Sequence, residues 1–247
     1  MSLEKMLDFT GRNVLVTGGS SGIGNAIARS FLDAGARVQV WGSRPSREDY
    51  AAEEGSNLEG LDYQCVDLGN LQAIADARVQ SDTLDILVQS QGACAWEKEY
   101  DPAHFREVVE VNLNGIMATC MKFYEFLKAS GGKVVLINSV GGIKPSLGIP
   151  AYSASKAGVT SLTKSLGEAW AAEGIRVNGI APGPILTKMT GPVLSQPGRT
   201  EANIERIPLG RLGTSQDIAN IALFLASDLS AFVVGHTILA DGGMLIR

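Results

Sequence analysis

The stretch Val14-Leu15-Val16-Thr17-Gly18-Gly19-Ser20-Ser21-Gly22-Ile23-Gly24-Asn25-Ala26-Ile27-Ala28 decides the fold. Val14 to Thr17 is a short apolar run rich in valine and reads as a buried strand. Gly24 to Ala34 reads as the helix after it. Between them, Gly18, Gly22 and Gly24 permit a tight turn, close approach of backbone to phosphate, and close helix packing. A helix N-terminus offers unpaired N–H groups and partial positive charge to a pyrophosphate. The competing reading is an ordinary glycine-rich strand-to-helix connection, because an isolated glycine motif is not specific. Ser20, Ser21 and Ile23 of this turn join the glycines as candidate nucleotide contacts.

The alternation continues outward. Arg37 to Trp41, Tyr63 to Val66, Leu84 to Gln89, Lys133 to Asn138, Arg176 to Ile180 and His236 to Ala240 read as six further strands. Asp101-Pro102 resembles an N-cap followed by proline at the first helical position. It predicts a helix that runs, with a break, to Lys128. Tyr152 to Ala172 has helical periodicity. Thr214-Ser215-Gln216-Asp217 resembles a capping box that opens a helix to Ala226. The interval from Asp67 to Asp85 is short, which predicts an abbreviated third crossover helix. Strand–helix alternation implies an α/β fold: a parallel sheet covered on both faces, with right-handed crossovers. Such sheets bind ligands beyond the carboxyl ends of their strands.

The chain of 247 residues carries no Pro/Gly/Ser linker, repeat or low-complexity run, so residues 1–247 are expected to form one domain. Hydrophobic content of 45% supports a large core, and 29 glycines suit close helix–sheet packing. A net charge of −5 without a long basic run argues against nucleic acid as a partner. Cys65, Cys94 and Cys120 form no CxxC pair and suggest reduced thiols in a cytoplasmic protein. Met1 to Thr10 lacks an apolar stretch of signal-peptide length, and no run is long enough to span a membrane. No metal site is expected.

Two positions bear on the nucleotide. Asp67, in Cys65-Val66-Asp67-Leu68, could accept from an adenine amino group, or could be a turn or cap residue. At the end of the second strand, an acid would bind a ribose 2′-hydroxyl and a base would accommodate a 2′-phosphate. The chain reads Trp41-Gly42-Ser43-Arg44 there, with no acid before Glu48. Ser43 and Arg44 therefore favour NADP over NAD, unless Arg44 simply points into solvent.

The chemical signal lies downstream. Tyr152 follows Ser139 by thirteen positions, and Lys156 follows Tyr152 by four. Tyr152 and Lys156 share a helix face. Tyrosine, with a pKa near 10, is a poor base at neutral pH. A fixed ammonium ~5 Å away, at effective dielectric ~20, would favour phenolate by roughly 3 kcal/mol. Tyr152 could then exchange a proton with a carbonyl or alcohol. Ser139, ending the fifth strand, would hold the substrate oxygen rather than attack it. No histidine lies near it in sequence, which weakens a serine hydrolase reading; His104 and His236 read as packing or surface residues.

Taken together, these motifs make the chain resemble the classical short-chain dehydrogenase/reductase family over nearly its whole length. Thr17 to Gly24 matches the family's TGxxxGIG. Ser139, Tyr152 and Lys156 match its catalytic residues, and Asn112 matches the fourth member of the tetrad, which in the family holds a helix distortion. Pro182-Gly183-Pro184-Ile185-Leu186-Thr187 matches PGxxxT, where Ile185 and Thr187 would meet the nicotinamide carboxamide. Asp241-Gly242-Gly243 resembles the usual ending. The resemblance implies a single Rossmann-type domain, a doubly wound sheet of about seven strands in three α/β/α layers. It also implies NADP or NAD as cofactor, a small carbonyl or alcohol substrate, and a homotetramer.

The chain departs from the family's NNAG after strand four, where it reads Gln89-Ser90-Gln91-Gly92. Gln91 and Gly92 are expected beside the cofactor ribose. The departure mildly supports a rival, a cofactor-binding regulatory protein on the same scaffold. A sugar-nucleotide epimerase or dehydratase would need a larger C-terminal domain. Candidate substrate contacts are Ser139, Tyr152, Cys94, Trp96, Ile143, Lys144 and Leu147, with the loop from Leu186 to Gln196.

Overall fold

A computed structural model describes residues 3–78 and 80–246 of the chain. Among them, seven strands form one sheet: β1 (Asn13–Thr17), β2 (Arg37–Gly42), β3 (Asp62–Cys65), β4 (Ile86–Gln89), β5 (Lys133–Ile137), β6 (Arg176–Pro182) and β7 (Thr237–Ala240). The spatial order is β3-β2-β1-β4-β5-β6-β7, and every pair is parallel. Parallel neighbours need crossovers, which the helices supply. They are α1 (Leu3–Met6), α2 (Gly22–Asp33), α3 (Leu71–Asp76), α4 (Pro102–Val109), α5 (Gly115–Lys122), α6 (Tyr124–Ser130), α7 (Pro150–Ala171), α8 (Gly191–Leu194), α9 (Arg199–Glu205) and α10 (Ser215–Ala226).

The central strands β1, β4 and β5 are buried almost throughout, so they read as continuous apolar runs. Two apolar clusters lie on the two faces. One joins Val14, Val16, Ile27, Phe31, Val135 and Ile218 of β1, α2, β5 and α10. The other joins Leu15, Leu87, Leu136, Ile116, Val159 and Leu166 of β1, β4, β5, α5 and α7. Alternate residues of one strand thus feed opposite layers, which is the three-layer Rossmann-type arrangement expected.

Local signals placed the helix starts. Asp101 accepts from the N–H groups of Ala103 and His104, and Thr214 and Asp217 form a complete capping box. The third crossover helix, α3, has six residues, as the short interval predicted. The helix expected from Pro102 to Lys128 is interrupted twice. A π-helical stretch, Glu110–Asn114, separates α4 from α5, and Phe123 separates α5 from α6. The first interruption carries Asn112 inward. Such single-turn widenings recur at functional sites.

Switching from β3-β2-β1 to β4-β5-β6 reverses the direction in which strands are added. At that point the crevice opens beyond the carboxyl ends. Among the described residues, no helix is long and apolar enough to cross a membrane.

Candidate active site

The chain leaves β1 to β6 on the same edge of the sheet, and there it lines a cleft of about 890 Å³. Nearly all the individually expected site residues line it. Arg44, Asn112 and Ile143 do not. From the 186–196 loop, Thr187 to Thr190 and Leu194 contribute, while Leu186 does not. The side chain of Val193 lies outside the described residues.

The glycine turn forms one wall. Gly18 and Gly22 have φ of +65° and +55°, where a Cβ costs roughly 1–2 kcal/mol. A Cβ on Gly24 would stand 2.1 Å from the carbonyl oxygen of Gly18. Ser21 takes the N-cap position of α2, yet its hydroxyl caps no N–H, and no acid occupies the first turn. The caps of α3, α4 and α10 are all filled by side chains. The start of α2 is thus left uncapped by its own side chains, as a pyrophosphate site requires. Across the cleft, Thr187 faces this turn: its Cγ2 would lie 3.6 Å from a Cβ on Gly22.

Beyond β2 and β3, Ser43, Asp67 and Leu68 line the cleft. Asp67 also accepts from the Gly69 N–H at 2.9 Å, so its turn role and its exposure coexist. Arg44 is already engaged by neighbouring groups. Its guanidinium stacks 4.4 Å above the Tyr50 ring, donates to the Asp49 carbonyl and pairs with Glu53. It neither lines the cleft nor points freely into solvent, because Glu53 offers a nearer opposite charge.

The segment after β4 resolves the unusual Gln89-Ser90-Gln91-Gly92. Gln89 donates to the Ile116 carbonyl of α5 at 3.0 Å. Gln91 donates to Gln89 at 3.1 Å and accepts from the Thr17 hydroxyl. Its side chain therefore turns inward, and its backbone meets the cleft. That backbone lies under Gly18, where a Cβ would stand 2.7 Å from the Gln91 nitrogen. Gly92 faces Met189 and Lys156.

Ser139 and Tyr152 converge from β5 and α7. A Cβ on Gly141 would lie 3.3 Å from Ser139 Oγ and 3.5 Å from the Tyr152 ring, which shows how closely both approach. Ser139 Oγ accepts from the Gly141 N–H at 3.0 Å and is hydrogen-bonded to the Tyr152 phenol. Lys156, fully buried, donates to the carbonyls of Ile137 at 2.8 Å and Gln91 at 3.4 Å. Burial lowers its pKa to about 8. The expected depression of Tyr152 by Lys156 is overturned in this geometry. Burial holds the phenol above its ordinary value, the Ser139 bond opposes that, and nearby Cys94 and Glu99 add to the rise. The ammonium, 5.8 Å from the ring centroid, is committed to the two carbonyls.

Asn112 supports this geometry from the π stretch. Its Oδ1 accepts from the Ala93 N–H at 2.7 Å, and its Nδ2 donates to the Ala93 carbonyl at 2.9 Å and to Ser155 at 3.1 Å. It grips the strand-four loop rather than lining the cleft.

Sequence reading missed Glu99, Arg199, Asn203, Arg206, Met244 and Leu245. Glu99 is buried and accepts from the N–H groups of Ala95 at 3.0 Å and Tyr152 at 2.8 Å, tying the Cys94–Trp96 loop to the start of α7. The other five line the cleft from α9 and the C-terminal turn. Asp241 makes that turn: it accepts from Gly243 and Leu245, both at 2.9 Å, and packs against Gly183. Cys94 lines the cleft as a neutral thiol, its pKa pushed up to about 12 by burial and by Glu99. The two histidines lie outside the cleft, as expected.

The family model described as Enoyl-(Acyl carrier protein) reductase matches residues 18–245. The chain is 35% identical to the 2-dehydro-3-deoxy-D-gluconate 5-dehydrogenase of Bacillus subtilis, covering 99% of each protein. It is 36% identical to a 3-oxoacyl-(acyl-carrier-protein) reductase of Chlamydia pneumoniae, covering 96% of this chain and 98% of that one. A crystal structure of a 2-deoxy-D-gluconate 3-dehydrogenase candidate from Agrobacterium tumefaciens, with bound NADP, superposes with a TM-score of 0.86. It shares 38% identity and covers 98% of this chain and 99% of that one. The chain belongs to the short-chain dehydrogenase/reductase family, and it is an oxidoreductase that uses NADP or NAD on alcohol and carbonyl groups.

Proposed function

We propose that Tyr152 exchanges the proton and Ser139 holds the reacting oxygen of a small anionic substrate with a secondary alcohol or ketone. A bound nicotinamide supplies or takes the hydride. In reduction, the Tyr152 hydroxyl, kept protonated by burial, gives its proton to the oxygen that was the carbonyl; in oxidation, the positive charge of a bound oxidised nicotinamide would favour the phenolate that takes the proton from the alcohol. Ser139 can donate to that same oxygen and stabilise its developing charge. Lys156, with a pKa near 8, can pass a proton on at neutral pH. Gly18, Ser20 to Gly24, Ser43, Asp67, Leu68, Gln91, Gly92, Pro182, Gly183, Ile185 and Thr187 make the cofactor wall. Asn112 positions the strand-four loop.

The anionic character rests on one observation. The cleft is lined by Lys144, Lys156, Lys188, Arg199 and Arg206, against Asp67 as the acid, in a chain of net charge −5. Lys144 comes from the segment between β5 and α7, and Arg199 and Arg206 from α9 and the residue that ends it. Cys94 and Trp96 add a compact apolar wall. Two of the relatives named above are dehydrogenases of sugar acids, which fits a carboxylate. A panel of hydroxy acids, keto acids and their neutral analogues, read by nicotinamide absorbance, tests this. Turnover that favours neutral alcohols over their acid counterparts rejects it.

We also propose one domain over residues 1–247, assembled as a homotetramer in the cytoplasm. Two separate apolar patches support the assembly. Tyr100, Phe105, Met117 and Met121 stand exposed on and before α4 and α5. Phe232, Val234, Leu239 and Ile246 stand exposed around the edge strand β7. Two self-complementary patches suffice for a closed tetramer with twofold axes. Light scattering that gives about 26 kDa at micromolar concentration rejects the assembly.

A further inference from the structure

We propose that Glu53 sets the choice between NADP and NAD, by holding Arg44 and Lys188 in an ion-pair cluster that a 2′-phosphate must take over. This rests on the nucleotide reading of the cleft. Arg44 stands twenty positions after Gly24, beyond β2, where residues of this fold contact the ribose 2′ position. No acid stands at that strand end. The structure folds one back instead, from the loop between β2 and β3.

One carboxylate gathers three elements. Glu53 pairs with Arg44 beyond β2. It accepts from Lys188 at 3.0 Å, beside Thr187 in the loop after β6. The Ser21 hydroxyl of the glycine turn adds to the groups that hold the Glu53 carboxyl below the usual range. Only 8% of the Glu53 side chain is accessible. The loop that carries it is fastened to the turn. The Gly55 carbonyl accepts from the Gly22 N–H at 2.9 Å, and the Ser56 hydroxyl donates to the Ser20 carbonyl at 2.6 Å. The Asn57 N–H donates to Asn25 at 2.9 Å. Arg44 is fixed from its own side: its N–H donates to the Tyr50 hydroxyl at 3.2 Å, and its guanidinium stacks on that ring.

The consequence is charge competition. A 2′-hydroxyl can lie beside this cluster and leave the ion pairs intact. A 2′-phosphate brings like charge against Glu53 and needs the guanidinium that Glu53 holds. Arg44 alone would favour NADP strongly, and Glu53 reduces that preference.

Calorimetric titration of the full chain tests this, with NADPH, NADH, adenosine 2′,5′-bisphosphate and 5′-ADP as ligands. Glu53→Gln should tighten NADPH and the 2′,5′-bisphosphate at least about fivefold, the scale of one charge-assisted contact, and move NADH and 5′-ADP by less than about twofold. Glu53→Ala should shift the ligands in the same directions. In an Arg44→Ala background the gain should vanish. Circular dichroism melting shows that each variant is folded. Equal shifts for both cofactors, or no shift in either folded variant, overturn the proposal while leaving the cleft a nucleotide site. A parent protein that binds neither cofactor overturns the nucleotide reading and this proposal with it.

Discussion

Lys156 Nζ donates to the Ile137 carbonyl at 2.8 Å, and that bond anchors the end of α7 that carries Tyr152 to the last residue of β5. A fully buried ammonium is costly, and burial lowers its pKa from 10.5 to about 8. Between those values the unfolded chain binds the proton and the folded chain does not, so stability rises with pH across that window. Relative to Lys156→Met, the parent should gain about 3 kcal/mol from pH 8 to pH 10.5. Urea unfolding of both proteins along this range measures it. A difference independent of pH would show that the lysine is solvated.

Tyr152→Phe removes one hydroxyl and keeps the ring. Turnover should fall by ~10² or more, with cofactor affinity little changed. Steady-state rates and a separate cofactor titration distinguish the two effects. Near-normal turnover would remove Tyr152 from the proton-transfer role.

Gln91→Leu should destabilise the fold by about 1–3 kcal/mol, the cost of stranding buried polar groups. The Thr17 hydroxyl keeps only the Val88 carbonyl at 3.5 Å, and Gln89 loses its donor, both inside the sheet. Gln91→Asn should behave similarly, because the shorter chain cannot span both partners. Thermal or urea unfolding gives the number, and a change under a few tenths of a kcal/mol would contradict the network.

Gly92→Val puts branched carbon between Met189 and Lys156. The Cβ would stand 3.3 Å from Met189 Cε and 4.0 Å from Lys156 Nζ. Met189 can give way, so the fold should survive. Cofactor affinity should weaken by at least about 1 kcal/mol, the scale of an overpacked contact. Calorimetry with circular dichroism as a folding control checks it. Unchanged affinity in a folded variant would place this loop away from the cofactor.

Local chemistry made much of the molecule legible without coordinates. Val14 to Gly24 specifies strand, turn and helix within eleven residues, because glycine adopts the positive φ values of Gly18 and Gly22 without steric cost. Asp101-Pro102 and the Thr214–Asp217 box announce their helices through side chains that satisfy nearby N–H groups. The spacing of Tyr152 and Lys156 follows from one helical turn.

What the sequence by itself determined is therefore the α/β alternation, the glycine turn and the placing of Tyr152 and Lys156 on one helix face, all governed by contacts close along the chain. Tertiary structure alone decided the partners brought together from afar. Glu99 reaches Tyr152 across fifty-three positions, and Lys188 reaches Glu53 across 135. Arg44 was readable as a cation at the right strand end, but not as one already paired, since its neutralising acid arrives by a loop that folds back. The same holds for Lys156, whose ammonium is committed to two carbonyls that only the packed sheet supplies. Charge and hydrogen-bond satisfaction in a low-dielectric interior depend on distance in space, and that distance is set when the layers pack.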